Sequence, residues 1–231
     1  MLDVTLVVLC AGNSTRFDNS CKKQWLRVGD EPLWLNVTSK LNSYSNFFET
    51  IVVSHKDELN YMQNFSDDYI YIKGGQTRQE SIKNSFAFVK TKYVMISDVA
   101  IACIPQTVVS NLLLNKEKAS CIVPILDISD TVIFEEKTIN RDKVKLIQTP
   151  QLSLVEHLKE SLKTNIEFTD ESSAIKNSSY PIFYIKGDIS SKKLTFVDDI
   201  KNIPCLKEPS KNFFVGTGFD IHAFEETKRC F

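Results

Sequence analysis

Two common phosphate-binding signatures are missing from this chain. Only 7 of its 231 residues are glycine, and none of them forms a Gly-x-Gly-x-x-Gly or a Gly-x-x-x-x-Gly-Lys-Ser/Thr pattern. That excludes the dinucleotide fingerprint and the P-loop. An excess of one charge is missing too: 28 Lys and Arg face 29 Asp and Glu, for a net charge of −1. A balance of this kind argues against nucleic-acid and membrane-surface partners, so any anion site must be a local cluster of cations. There is no Cys-x-x-Cys pair. Cys10, Cys21, Cys103, Cys121, Cys205 and Cys230 are scattered, which fits buried thiols in a reducing cytoplasm better than a disulfide framework. No stretch approaches transmembrane length. The first apolar run is short and follows Asp3, so it reads as a strand and not as a signal peptide.

What is present is organised around one loop. Val4-Thr5-Leu6-Val7-Val8-Leu9 is a continuous, β-branched apolar run, the mark of a parallel strand buried on both faces. It empties into Cys10-Ala11-Gly12-Asn13-Ser14-Thr15-Arg16, with Lys22-Lys23-Gln24 close behind. Small residues let backbone N–H groups approach a ligand, and clustered cations suit a polyphosphate. In an open α/β sheet such a loop lies at the carboxyl edge, where ligands bind. The length suits one well-buried α/β domain with a small appendage.

Further strands are expected at residues 50–54, 69–72, 93–97, 121–125 and 181–185, and helices from Pro32, from Glu58, over 107–114 and over 152–162. The third strand ends in Gly74-Gly75, a pair that permits positive φ and close backbone approach. Thr77 with Glu80 then makes a capping box. This puts Arg78 in the first helical turn, which is unfavourable for a cation unless an anion is held there. Asp98 ends the fourth strand, a position suited to a divalent metal carrying phosphates or to a helix cap. His55 follows the second strand and reads as a structural histidine. Within residues 127–146, Thr131-Val132-Ile133-Phe134 and Lys143-Val144-Lys145-Leu146 alternate around polar positions, with a turn-rich Glu135-Glu136-Lys137 between them. They read as a projecting β-hairpin arm whose exposed edges suit a dimer contact. Thr169 is expected to cap a helix with two early acids. Residues 205–212 read as a linker. A new strand follows at 213–222, with Asp220 and His222 on one face, as a metal site requires.

Taken in order, Ala11-Gly12…Arg16, Lys23-Gln24, Gly74-Gly75-x-x-Arg78-x-x-Ser81, Asp98, Asp130-Thr131, Arg141, Thr149-Pro150-Gln151, Thr169-Asp170-Glu171 and Lys193-Leu194-Thr195 form a set. That set resembles the 2-C-methyl-D-erythritol 4-phosphate cytidylyltransferase family of the non-mevalonate isoprenoid pathway. The tail from Gly216 to Phe224 resembles the opening strand of 2-C-methyl-D-erythritol 2,4-cyclodiphosphate synthase. The resemblance implies a bifunctional arrangement: a cytidylyltransferase domain at 1–204, a linker at 205–212 and the first strand of a synthase domain at 213–231. It also implies a Rossmann-like, mostly parallel sheet of nucleotidyltransferase type.

By position, the resemblance implies catalytic roles for Arg16, Lys23 and Asp98. It implies nucleotide binding by Ala11, Gly12, Gly75, Arg78 and Ser81, and methylerythritol-phosphate binding by Thr131, Arg141 and Lys193. Arg141 is expected to reach in from a partner subunit's arm in a homodimer. Mg²⁺ at Asp98 would serve the transferase, and a metal such as Zn²⁺ at Asp220 and His222 an incomplete synthase site. The substrates would be CTP and methylerythritol phosphate, with no nucleic acid or membrane partner. Three positions depart from the family pattern. Ile101 stands where an Arg is usual, in a step that bears on methylerythritol-phosphate binding. Lys22 replaces a Pro and Gln76 an Asp. Two alternatives stay open on the sequence: a CTP-binding but impaired homologue, and a sugar-phosphate nucleotidyltransferase of the same fold.

Overall fold

All six residues of Val4–Leu9 (β1) are buried, and their alternation divides them between two cores. Val4, Leu6 and Val8 join one apolar cluster, Val7 and Leu9 the other. A strand covered on both faces needs apolar residues at every step, which is why it is visible as a run in the sequence. The computed structural model describes residues 2–17, 21–206 and 215–219.

After β1 comes a short hairpin, β2 (Arg27–Val28) and β3 (Glu31–Pro32), then helix α1 (Leu33–Ser43) and strand β4 (Glu49–Ser54). Helix α2 (Leu59–Gln63), β5 (Ile70–Lys73), α3 (Arg78–Ser85), β6 (Tyr93–Asp98), α4 (Gln106–Leu114) and β7 (Cys121–Asp127) follow. The chain then forms β8 (Val132–Phe134), β9 (Lys137–Ile139), β10 (Lys145–Ile147) and β11 (Gln151–Leu154). It closes with α5 (Val155–Ser161), α6 (Glu171–Asn177), β12 (Ile182–Lys186) and a 3-10 turn at Val197–Asn202.

The main sheet has eight strands in the order β10-β7-β11-β6-β1-β4-β5, with β12 on the other edge of β7. β1 pairs in parallel with β4 and β6, β4 with β5, and β7 with β12. β11 is antiparallel to both β6 and β7, so those two run the same way. The carboxyl ends of β1, β4, β5, β6, β7 and β12 therefore share one edge. From β1 the chain builds outward through β4 and β5, then returns to place β6 on the opposite side. That reversal is a topological switch point, where an open α/β sheet leaves a crevice. α1 and α4 cover one face through Leu33, Trp34, Val37, Val109 and Leu112. α3, α5 and α6 cover the other through Ile82, Val155, Leu158, Ala174 and Ile175.

Four expectations are corrected. The arm's hairpin is β8 against β9, joined across Glu135 and Glu136 at φ 47° and 63°. Positive φ at both central residues gives the turn a twist that matches its strands. Residues 143–146 do not close the hairpin. Arg141–Lys143 form a 3-10 turn, capped by the Asn140 side chain, and β10 returns to the edge of β7. An alternating segment fits either partner, and only the tertiary arrangement chooses. Residues 152–154, expected as the start of a helix, belong to β11, because a slot between β6 and β7 takes a short apolar segment as a strand. At α6 the cap is Asp170 and not Thr169, with its Oδ1 accepting the Ser173 N–H at 3.1 Å. Finally, Cys103 and Cys205 are joined as a disulfide across 102 residues, so not every thiol is free. The loop after β6 packs against residues 203–206, a proximity that sequence spacing cannot reveal; Cys10, Cys21 and Cys121 are free.

Of the expected strand at 213–222, the described residues 215–219 have no regular structure, and Val215 and Phe219 are exposed. Asp220 and His222 lie outside the described residues. No described helix is long and apolar enough to cross a membrane.

Candidate active site

A cavity of about 440 Å³ opens at the carboxyl edge of the sheet, at the switch point around β1. Arg16, Lys23, Lys56, Lys73, Arg78 and Lys193 line it, against one carboxylate, Asp98. An excess of fixed positive charge in a concave site focuses the field on an anion.

The loop after β1 is held open from behind. An added Cβ at Gly12 would meet nothing within 4 Å, so the backbone there faces free space. The Gly12 carbonyl accepts from Gln24 Nε2 at 3.2 Å, and the same Nε2 donates to Glu58 Oε2 at 3.0 Å. Glu58 also pairs with Lys22 at 2.6 Å. Burial pushes the Glu58 carboxyl up, but hydrogen bonds from Lys22 and Gln24 outweigh it and hold the pKa below the usual value. Lys22, the departure from the family's Pro, thus acts as a clamp on the loop. Ser14 takes φ 56° and its Oγ accepts the Lys23 N–H at 3.0 Å. Lys23 Nζ donates to the Leu194 carbonyl at 3.2 Å. Burial, and then the charges of Lys193 and Arg16, depress the Lys23 pKa. A lysine crowded by cations is poised to gain from a bound polyanion.

The loop after β5 approaches this one closely. A Cβ on Gly74 would sit 2.5 Å from Ala11 Cβ, and one on Gly75 only 2.2 Å from Glu80 Cβ. Proximity, and not positive φ, is what requires both glycines; Gly29 is the positive-φ glycine of the described residues. Thr77 caps α3 by accepting the Glu80 N–H at 3.1 Å. The Glu80 carboxylate reaches back one residue further than a capping box requires, accepting the Gln76 N–H at 2.6 Å. Ser81 Oγ accepts the Gly75 N–H at 3.1 Å, fixing the loop against its own helix.

The third wall is a charge network. Arg78, first residue of α3, finds its anions within the protein: Nε donates to Asp98 Oδ1 at 2.9 Å and Nη1 to Glu171 Oε1 at 2.7 Å. Lys193 Nζ donates to Asp98 Oδ2 at 2.7 Å. Burial acts to raise the Asp98 pKa, but Arg78 and Lys193 prevail and hold it below the usual carboxylate value. Glu171 is 1% exposed; burial raises its pKa despite Arg78. Two buried carboxylates on one guanidinium leave Arg78 firmly charged, its pKa pushed up by both.

Of the residues singled out in the sequence, Ala11, Gly12, Arg16, Lys23, Gly75, Arg78, Ser81, Asp98 and Lys193 all line the cavity, as does His55. Thr131 and Arg141 do not. Both are exposed on the arm, where Arg141 Nη1 donates to the Ser129 carbonyl. Ile101, at the family's Arg position, is 4% exposed inside the apolar cluster beneath the site, and Val99 and Ala100 face the cavity instead. Sequence reasoning missed Lys56, just after β4, and Lys73, the last residue of β5, because those strands look ordinary, and Glu58 because its role depends on distant partners; it held Glu171 in the motif set but not its pairing with Arg78. Among the described residues no group of three His, Cys, Asp or Glu is placed to hold a metal.

The model of the 2-C-methyl-D-erythritol 4-phosphate cytidylyltransferase family (IspD) matches residues 4–204. The chain belongs to this family. It is 64% identical over 228 residues to the bifunctional enzyme IspD/IspF of Aliarcobacter butzleri, covering 99% of this chain and 61% of that protein. The corresponding enzyme of Campylobacter fetus is 50% identical over 226 residues. The chain spans about 60% of the length of these curated relatives. Among solved structures, bifunctional IspDF from Campylobacter jejuni superposes with a TM-score of 0.85 at 42% identity, over 90% of this chain and 55% of that one. The cytidylyltransferase from Thermus thermophilus shares the fold, with a TM-score of 0.73 at 21% identity, over 89% of this chain and 98% of that one. The IspD family thus takes in the sheet, both glycine-containing loops and the Asp98 network, up to the 3-10 turn at 197–202.

Proposed function

We propose that this chain joins CTP to 2-C-methyl-D-erythritol 4-phosphate, releasing pyrophosphate. The observation that carries the reading is the gathering of six cationic side chains around one cavity at the switch point, with Asp98 fixed between Arg78 and Lys193. In this reaction a phosphate oxygen of the sugar alcohol attacks the CTP α-phosphorus. The new P–O bond forms as the bond to the β-phosphate oxygen breaks, and that bond's electron pair leaves with pyrophosphate. The nucleophile is already an anion, so no protein base is needed. The barrier lies in bringing two anions together and in stabilising charge at phosphorus, which pre-placed cations do.

Arg16 and Lys23 lie beside the Gly12 backbone and are assigned to the triphosphate and the transition state. Ala11, Gly75 and Ser81 shape the wall for the nucleoside, with Arg78 behind it. Lys193 and Asp98 mark the side where the sugar alcohol sits. Asp98 is the one lining carboxylate, and cations hold both of its oxygens. That donor set suits Mg²⁺ only as an ion carried in on phosphate oxygens, with Asp98 its single protein carboxylate. Bound so, it would neutralise triphosphate charge.

Thr131 and Arg141 are assigned to the methylerythritol phosphate of a partner subunit in a homodimer. Ile133, Phe134, Leu146 and Ile147 are exposed on and beside the arm, an apolar surface suited to such a contact. The relatives' bifunctional names support reading 213–231 as the start of a synthase domain, and a metal at Asp220 and His222 is proposed there on the resemblance of the tail alone. The test is pyrophosphate release from CTP with methylerythritol phosphate and Mg²⁺. Release dependent on both substrates is expected. Equal release with an unrelated sugar phosphate would overturn the substrate assignment.

A further inference from the structure

We infer that Glu171 is a positioning residue that fixes the Asp98 carboxylate through Arg78. The inference rests on the proposed reaction for its kinetic part and on geometry alone for the rest. Three side chains form one line from α6 to the end of β6. Glu171 Oε1 accepts from Arg78 Nη1 at 2.7 Å, and Arg78 Nε donates to Asp98 Oδ1 at 2.9 Å. The second Asp98 oxygen takes Lys193 at 2.7 Å. Glu171 is buried at the first position of α6, so its carboxylate cannot follow the guanidinium if that moves.

A guanidinium is a planar fork. Held by Asp98 alone it would swing about one bond and could turn to the triphosphate, leaving Asp98 to Lys193. Held on a second edge by Glu171, its plane is set, and with it the direction of the Asp98 carboxylate. Helix α6 is itself anchored: the Ser172 N–H donates to Gln151 Oε1 at 2.9 Å, and Gln151 lies on β11 beside β6. The distance from Glu171 to Asp98 is thus set by the sheet, not by a surface loop. Arg78 Nη2 and Glu171 Oε2 have no partner among the described residues. The contact between these two residues is therefore a single charge-assisted hydrogen bond, and one substitution removes its charge.

A filling or charge-compensating residue and a positioning residue make different predictions. Glu171→Gln keeps the shape and one acceptor oxygen but removes the charge that grips Arg78. Two readouts are needed. The first uses no substrate: exchange of the Arg78 Nε–H, followed by ¹⁵N NMR, is expected to be at least tenfold faster in Glu171→Gln. Unchanged exchange overturns the inference, whatever the enzyme does. The second is a double-mutant cycle in single-turnover pyrophosphate release. Glu171→Gln should lower the rate about tenfold with CTP affinity within twofold, yet change it less than twofold when Asp98 is already Asn. An equal loss in both backgrounds assigns Glu171 a general structural role and overturns the positioning one. If Glu171→Gln does not fold, Glu171→Asp, which keeps the charge and shortens its reach, carries the same cycle. Absence of wild-type turnover would strike the proposed reaction and leave the exchange readout to decide Glu171.

Discussion

The cavity and the arm carry residues of the same kind to different ends. Around the cavity Arg78, Asp98, Lys23 and Lys193 each have a partner within the chain at 2.7–3.2 Å, and Asp98, at the end of the buried strand β6, anchors both Arg78 and Lys193. On the arm, Thr131 and Arg141 are exposed, and Arg141 meets a backbone carbonyl of its own loop. In the first region the partners that orient each of these side chains lie within one chain. The second holds the same chemistry with nothing to aim it. Where a cation meets a partner fixed by the sheet or its loops, folding pre-orients it; where it sits on the projecting arm, a second surface must complete its geometry.

The sharpest break of this contrast is Arg78→Met. It removes the cation between two buried carboxylates, and loss of one partner of a buried pair costs about 3–5 kcal/mol. Calorimetry or urea unfolding should show it, and the sign of its pH dependence is fixed. The folded pKa of Glu171 is raised, so its contribution is present below the unfolded value of about 4.3 and lost as pH rises through the folded value. Without Arg78 the rise is larger. The gap to wild type should therefore widen from acid toward pH 7, and a gap that narrows would contradict the network. Ile101→Arg belongs at the same scale. It places a cation in the apolar cluster and should lower the urea midpoint rather than restore the family's binding residue.

Next is Lys23→Ala. Removal of one preorganised transition-state donor costs about 2.7–4 kcal/mol, or about a hundred- to a thousandfold in turnover. CTP affinity, by titration calorimetry, should change only a few-fold. Equal loss of turnover and binding would assign Lys23 to ground-state binding instead.

Arg141→Ala probes the unfinished region. Loss of a charged hydrogen bond to phosphate costs about 1.5–3 kcal/mol, read here as a higher KM for methylerythritol phosphate with unchanged melting. Mixing this variant with Lys23→Ala should restore activity if the arm serves a partner's cavity. A mixture no more active than its parts would place Arg141 in its own subunit's site or outside it.

The smallest expected effect lies between the two regions. Asp199 accepts the Thr195 and Phe196 N–H groups at 2.9 Å each and so shapes the segment after Lys193. Those bonds, with Lys192, hold its pKa down to about 2. Its contribution is present above the unfolded value of about 3.9 and lost as pH falls through about 2. Because the group is close to solvent, that contribution is about 1 kcal/mol or less. Asp199→Asn should flatten the acid limb of stability between those values, lowering stability at pH 7 by up to that amount and converging with wild type near pH 2.

Much of the cavity was legible because its residues sit where strands end, and buried parallel strands announce themselves. The runs at 4–9, 50–54, 93–98 and 121–125 place Gly12, His55, Asp98 and the arm at or just after strand ends. What was illegible shares one physical cause. The strand at 151–154, the hairpin partner of β8, the Cys103–Cys205 bond and the Glu171–Arg78 pair all depend on groups far apart in sequence. For each, local pattern permits two outcomes of similar cost, and packing selects one. Arg78 shows both sides. Its place at a helix N-terminus called for an anion, and that followed from local physics. That the anions are Asp98 and Glu171, 20 and 93 residues away, was decided by the tertiary structure, because only there does the cost of burying two carboxylates have a guanidinium to offset it.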